Sequence, residues 1–294
     1  MASEQRTSSD DPPGRPAGLK HHVFVSPTRD MPKGGTFSPT TSTIVFGDHD
    51  AVLIDAQFID VDVEALVETV AALGKRLTTI VTTHGHPDHC FGSSRLIERF
   101  PQARFVASPD VVAYLAENLE RETAAARHLF GNRVVELRNM PEPLHNATIV
   151  LEGYEIGVID VGQADIAPAS VVHVPSASLL IAGDLAYNGV HQMLGYSRPA
   201  QWADWADNVR GLRGYHARNV IAGHKNAILD DSADRVIDDT ARYLDLFGEA
   251  FLSSHSAEEL CHRMMTAFPD HLNATTLLFS AQVAFKQKQP QEHG

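Results

Sequence analysis

The stretch Thr82-Thr83-His84-Gly85-His86-Pro87-Asp88-His89-Cys90 places three histidines and an aspartate within six positions, directly behind the apolar-polar run Leu77-Thr78-Thr79-Ile80-Val81. A strand that ends in a turn and feeds a helix aims its side chains into the crevice at the carboxyl end of a sheet. Neutral imidazole and carboxylate are the ligands of zinc and related divalent ions, which are commonly four- to five-coordinate when catalytic. One helix face cannot gather all four residues. A tight turn set by Gly85 and Pro87 can, with His84 and His86 reaching one ion while Asp88 and His89 reach a second nearby. A lone histidine in a polar turn is usually satisfied by backbone groups, but four ligand-type residues in the order HxHxDH argue against that reading. Closed structural zinc sites favour cysteine, and this chain has only Cys90 and Cys261.

The rest of the chain supplies a frame for such a turn. His22 to Val25, Thr43 to Phe46 and Ala51 to Asp55 read as strands, the last two joined as a hairpin by Gly47-Asp48-His49-Asp50. Val63, Leu66, Val67, Val70 and Leu73 recur at helical spacing up to Gly74. Leu77 to Thr83 and Arg104 to Ala107 are strands, and Ser108-Pro109 opens a helix through about Leu129. The pattern then changes. Thr148 to Leu151 and Tyr154 to Val161 form a hairpin around Glu152-Gly153, and Ser170 to Val174 and Ser178 to Ala182 form a second around Pro175-Ser176. A helix lined by Trp202, Trp205, Val209 and Leu212, a strand from Asn219 to Ala222, and helix from Ser232 onward complete the second half. Ser256-Ala257-Glu258-Glu259 is a capping box that opens further helix. Two mixed halves facing each other, with helices outside, cover every apolar face.

His84-Gly85-His86-Pro87-Asp88-His89 resembles the signature of the metallo-β-lactamase superfamily, and the resemblance runs from about His22 to Phe247. It implies an α/β fold, a four-layer αββα sandwich, here with extra C-terminal helices. The expected layout is a disordered tail over 1–20, the metallo-β-lactamase-like domain over 21–254, and a helical extension over 255–294 packed on that domain. Gly183-Asp184, after the apolar strand, resembles the family's strand-end aspartate that bridges two metals, and Gly223-His224 its last histidine ligand. The family usually carries a Gly-His ahead of the second hairpin, where this chain reads Gly162-Gln163-Ala164-Asp165. Gln163 is therefore expected in the histidine's place, as a neutral, weaker ligand. Asp165 is expected as a turn residue outside the ligand set, and His173 as a sheet-face histidine. The implied ligands are His84, His86, Asp88, His89, Gln163, Asp184 and His224, holding one or two Zn2+, with iron or manganese suiting the same residues.

A bound divalent ion lowers the pKa of water from about 15.7 to about 7. Attack of a metal-activated hydroxide on a small acyl substrate (ester, lactone, thioester or amide) is the expected reaction. Asp88 would orient the nucleophile and carry a proton to the leaving group. Tyr187, three residues past Asp184, is placed to donate to a developing oxyanion. Alternatives are an iron-dependent oxidative enzyme, like the sulfur-dioxygenase and flavodiiron branches of the family, and a non-catalytic protein whose site has partly decayed at Gln163. A formal charge of −13 opposes nucleic acid as a partner. No apolar run approaches a membrane span, the N-terminus lacks a secretory segment, and cysteine is scarce, so the expectation is a cytoplasmic protein acting on a small molecule, with a homo-oligomer left open.

Overall fold

The computed structural model describes residues 18–288, so most of the expected N-terminal tail lies outside the described residues, and the chain is already in a strand at Lys20. The first half contributes β1 (Lys20–Val25), β2 (Arg29–Asp30), β3 (Thr36–Phe37), β4 (Thr41–Phe46), β5 (Asp50–Ile54), α1 (Asp60–Ala72) and β6 (Arg76–Val81). After the histidine turn come α2 (Pro87–Cys90), α3 (Ser93–Arg99), β7 (Arg104–Ala107), α4 (Pro109–Phe130) and β8 (Glu142–Pro143). The second half contributes β9 (Thr148–Leu151), β10 (Tyr154–Gly162), β11 (Ala169–Val174), β12 (Leu179–Asn188), α5 (Pro199–Gly211), β13 (Asn219–Lys225), α6 (Ala233–Ser253), α7 (Ala257–Ala267) and α8 (Ala274–Lys288).

Two large sheets result, in the orders β1-β4-β5-β6-β7-β8 and β13-β12-β11-β10-β9, beside the two-stranded β2-β3. The central strands read as near-continuous apolar runs because both faces are covered. Val45, Val52, Ile54 and Val81 of one sheet meet Val158, Val172, Ile181 and Ile221 of the other in a dry middle layer. The opposite face of the first sheet packs Leu53, Leu77 and Ile80 under α1, α3 and α4. The outer face of the second packs Leu180, Ala182 and Val220 under α5 and α6 through Trp205, Val236 and Phe247. Three apolar layers between four structural ones make an αββα sandwich.

Local signals act as physical chemistry requires. Ser108 Oγ accepts from Val111 N at the start of α4, with Pro109 at the first helical position. Ser256 Oγ accepts from Glu259 N at the start of α7. Glu152 and Gly153 both adopt positive φ in the β9–β10 turn, which suits the twist of a tight hairpin. Residues 29–37 form a small hairpin, β2–β3, whose Thr36 N donates to Thr275 Oγ1 just inside α8 (2.9 Å). The last helices are not peripheral: Leu260, Met264, Leu277, Ala281 and Ala284 belong to the same apolar cluster as α5 and α6.

At one rim the two sheets are stitched together. Thr41 Oγ1 donates to Ala222 O (2.7 Å), Ser170 N donates to Thr83 O (2.8 Å), and single bridges join Thr40 to His224 and His84 to Ala169. The carboxyl ends of β5, β6, β12 and β13 meet here.

Candidate metal centre

The end of β6 is buried, and the chain leaves it through Thr82 and Thr83 into the His84–His89 turn, which α2 closes. A side chain at Gly85 would run into the Tyr114 ring of α4, so the turn lies flat against that helix. β12 does not stop at Asp184 as the sequence suggested. It continues to Asn188 through two register shifts against β13, one at Gly183, where φ is +50°. A Cβ at Gly183 would lie 2.5 Å from Thr83 Oγ1, and one at Gly223 would lie 2.0 Å from Asp184 Oδ1. These two glycines let the strands approach closely enough for Asp184 and His224 to face the histidine turn.

Two groups of ligand atoms form. His84, His86, Asp165 and Asp184 make one; Asp88, His89 and His224 make the other, and all seven residues are buried. His86 Nδ1 lies 2.9 Å from Asp165 Oδ2, and His84 Nε2 is 4.0 Å from both Asp165 Oδ1 and Asp184 Oδ2. His89 Nε2 is 3.2 Å from Asp184 Oδ1 and 3.4 Å from Asp88 Oδ2; His224 Nε2 is 3.3 Å from Asp88 Oδ2 and from Asp184 Oδ2. Atoms about 2.1 Å from a shared tetrahedral ion stand about 3.4 Å apart, so this spacing fits a ligand set.

The outward ring nitrogens support that reading. His89 Nδ1 donates to Asp55 Oδ2 (2.9 Å), which also accepts from Thr83 Oγ1 (3.0 Å) while Asp55 Oδ1 accepts from Thr83 N (2.8 Å). His84 Nδ1 donates to Thr83 Oγ1 (3.0 Å), and His224 Nδ1 to Pro39 O (3.1 Å). With Nδ1 as the outward donor, Nε2 is the nitrogen turned inward on all three rings, ready to bind an ion once its proton leaves. His84 Nε2, His89 Nε2, Asp165 Oδ2 and Asp184 Oδ1 are buried without a hydrogen-bond partner. Orphaned buried atoms are costly unless something else satisfies them, and these converge on one hollow.

Protons show where positive charge belongs. Burial alone would pull His86, His89 and His224 down, but neighbouring carboxylates outweigh it: Asp165 holds His86 at about 9, Asp88 and Asp184 hold His89 well above its usual range, and Asp184 and Asp88 hold His224 at about 10. Burial likewise opposes ionisation of Asp88 and Asp184, yet His89 and His224 keep both well below the usual carboxylate range. Burial and the adjacent Asp184 push Asp165 upward against the pull of His86. Burial, reinforced by His89, keeps His84 neutral. Three carboxylates thus bind protons through imidazoles, and a divalent cation would replace those protons.

Sequence reasoning placed Gln163 in the ligand set, and the structure does not bring it there. A register shift between Asp160 and Gly162, with φ of +73° at Gly162, bends the end of β10. Gln163 then faces away: its amide donates to Ala164 O (2.7 Å), its Oε1 accepts from Gln201, and its backbone carbonyl accepts from Asn208 Nδ2 (2.9 Å). Asp165, expected in the turn outside, is fully buried among the ligands, with Oδ1 also accepting from Ile166 N (2.7 Å). His84, His86, Asp88, His89, Asp184 and His224 all converge.

Tyr187 lies beside them, but its hydroxyl donates to Asp184 Oδ2 (2.8 Å) while its ring stacks on His224 at 5.5 Å. His191 and Asn188 face elsewhere, toward Tyr243 and toward Asp230, Asp231 and Arg235. His173 sits against Tyr215, away from the cluster. Asp55 was missed; an aspartate ending an apolar strand beside the histidine turn was the available signal. Asp55 adopts φ of 61°, a conformation an L residue keeps only when its surroundings fix it.

Known proteins share this architecture. A family model described as the metallo-beta-lactamase superfamily matches residues 35–224. A solved metallo-beta-lactamase family protein from Thermus thermophilus is 18% identical, with a TM-score of 0.63 over 92% of this chain and 94% of that one. A metallo-beta-lactamase from Pontibacter korlensis is 20% identical, with a TM-score of 0.58 over 82% of this chain and 97% of that one. At those identities the likeness is one of fold. A hydroxyacylglutathione hydrolase from Synechococcus sp. (strain JA-2-3B'a(2-13)) is 44% identical over 45 residues, which is 15% of this chain and 18% of that enzyme.

Proposed function

The chain belongs to the metallo-β-lactamase superfamily, and from that footing we propose that it is a metal-dependent hydrolase cleaving a small ester, lactone, thioester or amide. The observation that carries the reading is the convergence of His84, His86, Asp165 and Asp184 with Asp88, His89 and His224 at the floor of one cleft. Zinc is the proposed ion, in one or two copies. When bound, such ions supply hydroxide at neutral pH from coordinated water and polarise an acyl carbonyl.

The chain's own residues do the rest. Asp88 lines the cleft, and Oδ2 faces His89 and His224. It is the group placed to accept a proton from the attacking water and pass it to the leaving group. Asp184 faces both groups of ligands, and Tyr187 holds one of its oxygens by a hydrogen bond, so Tyr187 positions Asp184. Asp55, Thr83 and Pro39 orient the imidazoles. The short segment alike to the hydroxyacylglutathione hydrolase supports acyl hydrolysis as the reaction class.

The test is a panel of ester, lactone, thioester and β-lactam substrates assayed with zinc, manganese and iron, for wild type and Asp88→Ala. Metal-dependent hydrolysis lost by at least about 100-fold in the variant is expected. Equal turnover in both proteins overturns the role of Asp88.

Asp165 favours one second reading. Two histidines and two carboxylates are a harder ligand set than three histidines, and two-histidine carboxylate sets suit iron. Elemental analysis of protein purified without added metal, with oxygen uptake measured alongside hydrolysis, separates an oxidative enzyme from a hydrolase. A decayed site is less well supported, because Asp165 offers the group a carboxylate that Gln163 does not.

A further inference from the structure

The cleft above the ligands has a volume of about 340 Å3, within the usual range for small-molecule sites. One wall is aromatic from the floor upward: Phe37 lies 6.1 Å from the His224 ring and packs on Phe58 (5.2 Å) and Phe130 (5.5 Å). Ala126 and Leu129 of α4 continue it. A second wall starts at Tyr196, 4.9 Å from the His86 ring, and includes Met193 and Phe279 of α8, the latter 6.0 Å from Tyr196.

Beyond the ligand residues, the acidic side chain on these walls is Glu122. Among the described residues that line the cleft there is no lysine or arginine, while Asp88, Asp165, Asp184 and Glu122 are present. Glu122 is buried and accepts from Tyr114 Oη (2.8 Å) and Arg121 Nη2 (2.9 Å), so the nearest guanidinium is already paired. Lys33 stands only at the rim, 3.2 Å from His128 Nδ1. A tail ending in an anionic group beside Phe279 would be buried with no lysine or arginine in the lining to pair it, an expensive placement. Phe279, Thr275 and Thr276 of the lining come from α8, outside the matched segment 35–224.

We propose that the substrate is an uncharged acyl compound whose apolar tail runs between Phe37 and Phe279, and that α8 sets the preference for that tail. This rests on the hydrolase reading, and the experiment separates the two.

The metal-loaded protein is assayed with 4-nitrophenyl acetate, butyrate, hexanoate and octanoate, and with 4-nitrophenyl 8-sulfooctanoate, whose sulfonate is a poor metal ligand. The expected kcat/KM rises about fourfold per buried methylene until the cleft is full, and falls at least about tenfold when the octanoyl chain ends in sulfonate. Phe279→Ala should lower the octanoate-to-acetate ratio about tenfold, and Phe279→Arg should raise the ratio of sulfooctanoate to octanoate by at least as much. A flat chain-length profile, or equal use of the two eight-carbon esters, overturns the proposal. Calorimetry with octan-2-one and 7-oxooctane-1-sulfonate, which have no ester to cleave, reads the cleft alone. Binding of the ketone but not the sulfonate, with no ester cleaved, sinks the hydrolase reading and upholds the cleft's preference. Cleavage of esters with no selectivity for the tail sinks the preference and leaves the hydrolase reading standing.

Discussion

Tyr187→Phe removes one hydroxyl and keeps the ring that stacks on His224 at 5.5 Å and 24°. The lost bond is the 2.8 Å donation to Asp184 Oδ2, between side chains that are both buried. A hydrogen bond to a charged acceptor contributes about 1.5–3 kcal/mol. Its loss leaves Asp184, the one carboxylate facing both ligand groups, free to turn. Converted at about 1.4 kcal/mol per decade, the expected weakening of metal binding is roughly 10- to 100-fold, the range typical of residues that orient a ligand. Competition with a chromogenic chelator reads the affinity directly, and kcat at saturating metal reads the chemistry separately. The two roles for Tyr187 then diverge. A positioning residue weakens metal binding while kcat at saturation falls less, whereas an oxyanion donor lowers kcat with metal affinity unchanged. Metal affinity within about twofold of wild type would refute the argument from the Asp184 bond.

Asp165→Asn should lose about one equivalent of metal on dialysis, or bind it roughly 10- to 100-fold more weakly, while Gln163→Ala should keep wild-type content by elemental analysis; the reverse result would return Gln163 to the ligand set. Burial, with a smaller push from His271, holds His191 at about 4, below its ordinary value of 6.5. The unfolded chain therefore takes up this proton first, and stability present above pH 6.5 is lost as the pH falls toward 4. A fall from 6.5 to about 4 corresponds to about 3 kcal/mol. Urea denaturation of His191→Gln across pH 6.5 to 4 should show a shallower decline than wild type, and parallel declines would rule out His191 as a contributor.

The sandwich was legible because its signals are local and periodic. The apolar runs of β5, β6, β12 and β13, the Ser108-Pro109 and Ser256 caps, and the Glu152-Gly153 turn each depend on residues within one element. What escaped depends on contacts between distant elements. The β2–β3 hairpin is anchored where Thr36 N donates to Thr275 Oγ1, 239 residues away. β12 runs on past Gly183 because β13 lies beside it with its own glycine, Gly223.

Gln163 and Asp165 show the same limit where it matters most. In an unbroken strand, residues 163 and 165 would share a face, and the position in line with the usual histidine would be the one to point inward. The register shift at Gly162 ends that alternation, and once the ladder is lost, neighbouring partners decide the direction. Gln201 and Asn208 of α5 offer Gln163 complementary amides on the outside, whereas Asp165 finds His86 within 2.9 Å on the inside. A neutral amide is satisfied by other amides, and a carboxylate drawn into a dry hollow requires cationic neighbours. The ligand at this corner is therefore chosen by electrostatics across the fold after the strand ends. A sequence that lacks a ligand at position 163 would, in three dimensions, offer one at position 165, with a negative charge added.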